Sequence, residues 1–142
     1  MLSVVYSSIA THPFDDAELE ALLRTSRAGN ERVDVTGVLF AKNGYFLQLL
    51  EGPDAAVLSK MDTIRADPRH EKVTTLLKEP IVERQFPEWT MAFATAEEQD
   101  LADVPGYRTA FADLDETVDG TGPAPALREL VRWFQAHPAH LS

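Results

Sequence analysis

Gly44-Tyr45-Phe46-Leu47-Gln48-Leu49-Leu50-Glu51-Gly52 is an apolar run with one amide at its centre. Strand alternation sends Phe46, Gln48 and Leu50 to one face and Tyr45, Leu47 and Leu49 to the other. Both faces are largely apolar, so the strand is expected to be central and buried on both sides. Asn43-Gly44, just before it, is a strong hairpin signal because both turn positions need positive φ. The hairpin joins this strand to a preceding one, Val33 to Phe40. A buried Gln48 must find partners, since an unpaired buried donor or acceptor costs about 1–3 kcal/mol. Neighbouring protein groups or a bound ligand can supply them.

Leu2 to Ser7 reads as a first strand with Leu2, Val4 and Tyr6 on one face. Asp15 and Glu18 form a capping pair ahead of an apolar stripe at helical spacing, Leu19, Leu22, Leu23 and Ser26. Pro53-Asp54 opens a second helix carrying Val57, Leu58, Met61 and Ile64, and Asp67-Pro68 breaks it. Val73 to Leu77 is a fourth strand. Trp89 to Ala94 is a fifth, with Trp89, Met91 and Phe93 sharing a face. The order β-α-β-β-α-β plus one strand predicts an α+β, ferredoxin-like fold: a mixed five-stranded sheet with two helices on one face. An acidic, turn-rich linker then leads to an amphipathic helix with Leu127, Leu130, Val131 and Phe134, closed by Pro138. This helix is expected to cap the other sheet face. The reading divides the chain into a domain at 1–96 and a helical tail at 97–142.

With 142 residues, the chain can bury a core without staples. It has no cysteine, which excludes disulfides, thiolate metal sites and thiol nucleophiles. The net charge is −10, from 23 acidic and 13 basic residues, and argues against nucleic-acid binding. The start lacks the basic flank and long apolar run of a signal peptide, and no stretch is long enough to span a bilayer. A cytoplasmic protein is expected. His12, His70, His137 and His140 are scattered, so no metal site is expected, and no glycine-rich phosphate loop follows a strand.

Several polar residues are better placed. Tyr6 ends the first strand, which pairs with the Gln48 strand in the expected topology. Its bland reading is a core-edge tyrosine with its hydroxyl in water. Ser26 and Asn30 share a helix face, and Asn30 also suits a helix C-cap. Asp67, Arg69 and His70 follow the second helix and suit either a solvated turn or recognition of carbonyl or phosphate oxygens. Together they bracket the space between helices and sheet, a slot suited to a flat heteroaromatic ligand.

Five stretches in this order resemble the BLUF family, the sensors of blue light using flavin. They are Val5-Tyr6-Ser7-Ser8; Ser26-Arg27-Ala28-Gly29-Asn30 with Val35-Thr36-Gly37-Val38-Leu39; Gly44 to Gly52; Asp67-Pro68-Arg69-His70; and Phe86-Pro87-Glu88-Trp89-Thr90-Met91. The resemblance implies a noncovalent flavin, FAD or FMN, between the two helices. It implies that Tyr6 gives an electron and a proton to the photoexcited ring, and that Gln48 bridges Tyr6 and the ring edge. Ser26 and Asn30 then match residues near the polar edge, and Asp67, Arg69 and His70 match the opposite, ribityl side. Trp89 and Met91 match residues that change their relation to the glutamine on signalling. Many members carry two asparagines where this chain has Gly29-Asn30. The function implied is a switch rather than an enzyme, with output through a protein partner or homo-oligomerisation. A flavin oxidoreductase and a flavin-free ferredoxin-like assembly module are the alternatives.

Overall fold

The computed structural model describes residues 1–12, 14–42, 44–93, 131–132 and 135–136. The chain divides into two compact units, Met1–Phe93 and Ala94–Ser142. In the second, residues 131–132 and 135–136 are helical. The rest of the predicted tail helix, and its capping of the sheet, fall outside the described residues, as does the end of the predicted fifth strand at Ala94.

The first unit runs β1 (Leu2–Ala10), α1 (Asp16–Arg32), β2 (Thr36–Lys42), β3 (Tyr45–Gly52), α2 (Asp54–Ala66), β4 (His70–Pro80) and β5 (Ala92–Phe93). The sheet order is β4-β1-β3-β2-β5, antiparallel except for the parallel β2–β5 pair. This is the expected ferredoxin-like α+β sheet, mixed and five-stranded. β3 lies at its centre, and apart from half-buried Tyr45 every β3 residue is buried, as two apolar faces require.

Local chemistry explains the boundaries. The Asp15 carboxylate accepts the Glu18 N–H at 2.7 Å and starts α1. The helix continues through Asn30 to Arg32, so Val33, not Asn30, is its C-cap. Asp34 then adopts φ 60, a left-handed residue that stops extended structure, and β2 starts at Thr36 rather than Val33. Gly44 has φ +82, the conformation its hairpin position demands. Gly37 lets β2 and β3 approach closely, since a Cβ there would lie 2.0 Å from the Leu49 carbonyl oxygen. On the helix side of the sheet, Leu2, Val4, Leu39 and Leu50 pack with Leu23 of α1 and Val57 and Met61 of α2. Each such side chain contributes roughly 1.5–3 kcal/mol by leaving water.

The segment before β5 departs from expectation. Trp89 to Met91 is not regular strand. The carbonyls of Thr90 and Met91 are taken by α1 side chains, Asn30 Nδ2 at 2.7 Å and Arg27 Nε at 2.9 Å. The Trp89 carbonyl meets the sheet backbone, accepting from Gly37 N at 3.0 Å.

Candidate functional site

A cleft of about 830 Å³, its open mouth included, lies between α1, α2 and the sheet. Its apolar walls are Phe14, Leu22, Leu39, Phe46, Leu50 and Ile64. Tyr6, Ser26, Asn30, Gln48, Asp67, Arg69 and His70 all line it, so seven residues from four stretches of the chain converge on one cavity. Trp89 and Met91 are not in its lining. Thr25, Lys60 and Thr63 complete its polar surface and had no sequence signal of their own.

Tyr6 and Gln48 are direct partners in the β1–β3 register. The Tyr6 hydroxyl donates to Gln48 Oε1. At 3% exposure Tyr6 is a buried phenol rather than a core-edge one in contact with water. Burial, with the Asp67 charge adding to it, pushes its pKa well above the usual tyrosine range. The other end of the amide, Gln48 Nε2, donates to Met91 Sδ at 3.3 Å. A thioether is a weak acceptor for a buried amide. Met91, 1% exposed, is therefore the residue that touches Gln48, while Trp89 is half-buried.

His70 closes one end of the cavity. Its Nε2 is 2.6 Å from the Ile64 carbonyl oxygen, which can only accept, so Nε2 carries the hydrogen. In the neutral ring Nδ1 then accepts from the Ser8 hydroxyl at 2.7 Å. Both ring nitrogens are thus used within the protein, and the ring meets Tyr6 edge-on with centroids 6.4 Å apart. Beside it, Arg69 Nε donates to both Asp67 oxygens at 3.0 Å, and Nη2 donates to Oδ2 at 2.6 Å. Hydrogen bonding to Arg69 holds the Asp67 carboxyl below the usual range, and the same bonds raise the Arg69 pKa further.

Glu51, on β3, was not a sequence candidate. It is fully buried, on the sheet face opposite Gln48. Its carboxylate accepts the Gln85 N–H at 2.9 and 3.0 Å and the Phe86 N–H at 3.0 Å. Burial pushes its pKa up, opposed by these two N–H groups and by the Arg84 charge. Arg84 donates to Thr36 Oγ1, the Glu51 carbonyl and the Asp34 carbonyl. The signal that could have found Glu51 is its alternation with Leu47 and Leu49, which assigns a carboxylate to a buried face.

The cavity therefore pairs apolar walls with buried neutral polar groups at Tyr6, Asn30 and Gln48, a donor set that fits a planar heteroaromatic group such as a flavin. Among the described residues no group of three or more His, Asp or Glu could hold a metal ion, and no helix is long and apolar enough to cross a membrane.

Comparison with known proteins agrees with this architecture. Residues 1–92 match the profile of the BLUF family, described as sensors of blue-light using FAD. The photoactivated adenylate cyclase subunit beta of Euglena gracilis is 40% identical over 115 residues, which is 80% of this chain but 13% of that protein. The dark-state structure of BlrB, a BLUF protein, superposes with a TM-score of 0.74 at 30% identity, covering 96% of each chain. A bacterial light-regulated adenylyl cyclase gives a TM-score of 0.69 at 26% identity, over 82% of this chain and 35% of that one. By family match, fold and cavity together, the chain belongs to the BLUF family of blue-light sensors.

Proposed function

We propose that this chain senses blue light through a flavin, FAD or FMN, held noncovalently in the cavity between α1, α2 and the sheet. The observation that carries the proposal is the Gln48 amide. It is buried, its oxygen is occupied by Tyr6, and among the described residues its N–H donors have only a sulfur acceptor. An oxygen or ring nitrogen on the cavity side would satisfy it better, by about 1 kcal/mol.

A bound flavin supplies light absorption and a transient electron acceptor. Tyr6 is the electron and proton donor. Its burial keeps the phenol protonated in the dark, and its hydrogen bond gives the proton one outlet, Gln48 Oε1. Gln48 has a donor end and an acceptor end, so it can be satisfied in two arrangements, and turning the amide breaks its contact with Met91. Ser26 and Asn30 offer neutral polar contacts from α1. Asp67 and Arg69 serve the opposite side, and His70 acts by holding Tyr6 in place. The segment carrying Trp89 and Met91 receives the change and passes it to a protein partner or to self-association. Residues 1–96 form the sensor in this reading.

Absorption spectra before and after blue light test it. The wild-type protein is expected to be yellow and to shift reversibly to the red, and Gln48→Leu to bind flavin without shifting. A protein that stays colourless with added flavin, or a Gln48→Leu variant with a normal shift, refutes the proposal.

A further inference from the structure

The cavity's charges are unevenly matched. Three side chains lining it are basic, His70, Arg69 and Lys60. His70 has both nitrogens engaged, and Arg69 is bonded to Asp67 through its guanidinium. Lys60 has neither a hydrogen-bond nor an ion-pair partner among the described residues, although it is only partly exposed. In a chain of net charge −10, an ammonium left without a carboxylate at a cavity rim is a notable placement.

Gly29 makes that placement possible. A Cβ at residue 29 would lie 2.6 Å from Lys60 Nζ, so any side chain on α1 at this point displaces the ammonium. The amine reaches across from α2 into the space that a larger residue 29 would fill. Thr25 and Thr63, both exposed, line the same cavity. The deep polar groups, Tyr6, Asn30 and Gln48, are neutral and 2–6% exposed. The cavity is therefore graded, with neutral donors and acceptors inside and a hydrated cation at the rim. Such a gradient suits a ligand with an uncharged ring system and an anionic tail, because a phosphate keeps its water at the rim and would lose it further in.

We infer that Lys60, admitted by Gly29, forms an anion subsite that takes the phosphate of the flavin and makes this chain prefer phosphorylated flavins to riboflavin. The inference rests on the flavin reading above and assigns it a specificity residue.

The test titrates the apoprotein, stripped of co-purifying flavin, with riboflavin, FMN and FAD by fluorescence quenching at low and high salt. Wild type is expected to bind FMN and FAD about tenfold tighter than riboflavin, equivalent to about 1.4 kcal/mol, and to lose part of that margin in salt. Lys60→Met should bind riboflavin as wild type does, which also shows that it is folded, while its preference for FMN and FAD disappears. Gly29→Asn, by evicting the ammonium, should reduce the preference in the same direction. Equal binding of all three flavins by wild type, a Lys60→Met protein that keeps the preference, or one that loses affinity equally for all three overturns the subsite with the flavin reading intact. Absence of binding by any flavin overturns both.

Discussion

Tyr6 and Gln48 stand opposite each other in the β1–β3 register, and the phenol donates its hydrogen to the amide oxygen. Two central strands hold the pair, so its geometry is set by backbone pairing rather than by loops. Removing either partner leaves the other's polar group buried without its bond.

Tyr6→Phe should therefore cost about 1–3 kcal/mol in stability, because Gln48 Oε1 loses its donor. The variant is expected to bind flavin and to show no light-induced shift. Chemical denaturation and a light-minus-dark spectrum check both points. A normal photocycle would remove Tyr6 as the donor.

The raised Tyr6 pKa has a definite sign in stability. A group whose pKa is higher folded than unfolded binds its proton more tightly in the native state. Its contribution is complete below the unfolded value of about 10 and is lost as pH rises toward the folded value. Melting temperature should fall above pH 10 more steeply in wild type than in Tyr6→Phe. Parallel curves for the two proteins would contradict the burial argument.

Glu51→Ala removes the acceptor of the buried Phe86 N–H and the part-buried Gln85 N–H and should cost about 2–4 kcal/mol. Glu51→Gln separates charge from shape. Burial raises the Glu51 pKa, so the carboxyl's contribution is complete below its unfolded value and declines as pH rises through the folded one. The stability of Glu51→Gln relative to wild type should therefore improve from pH 4 to pH 7. A difference that stays constant across that range would show that ionisation at Glu51 carries no penalty.

Met91→Leu keeps volume and removes the sulfur that Gln48 Nε2 meets. Stability should change by less than about 1.5 kcal/mol. Flavin affinity should hold, while the rate of dark recovery should change several-fold. An unchanged recovery rate would mean that the sulfur takes no part in the switch.

Gly37→Ala tests the close approach of β2 to β3. The added methyl meets the Leu49 carbonyl, and the backbone must give, at an expected cost of about 2–4 kcal/mol. A melting temperature within a degree or two of wild type would show that the sheet yields more readily.

What was readable in the sequence was what periodicity and topology control. Alternation placed Gln48 on one face of β3 with Phe46 and Leu50, and the expected topology paired its strand with that of Tyr6. Asp15 and Glu18 marked the start of α1 because the cap is a local bond. The choice between Trp89 and Met91 was not readable, because alternation assumes a regular strand and side chains of α1 take the Thr90 and Met91 carbonyls instead. Arg27 and Arg84 left no trace for the same reason: their partners lie 33 to 64 residues away. Lys60 had no sequence signal, because its proximity to Gly29 joins two different helices.

β3 carries Gln48 toward the cavity and Glu51 toward the opposite face, and ladders on both sides hold it. The stretch from Arg84 to Met91 has no comparable ladder; side chains from β3 and α1 do most of the holding. This is a contrast in stiffness within one small unit. If β3 bears the proposed switch, a stiff beam coupled to a compliant strap concentrates displacement in the strap. Amide hydrogen exchange should be slow along β3 in dark and light alike, with any difference between the two states confined to the strap.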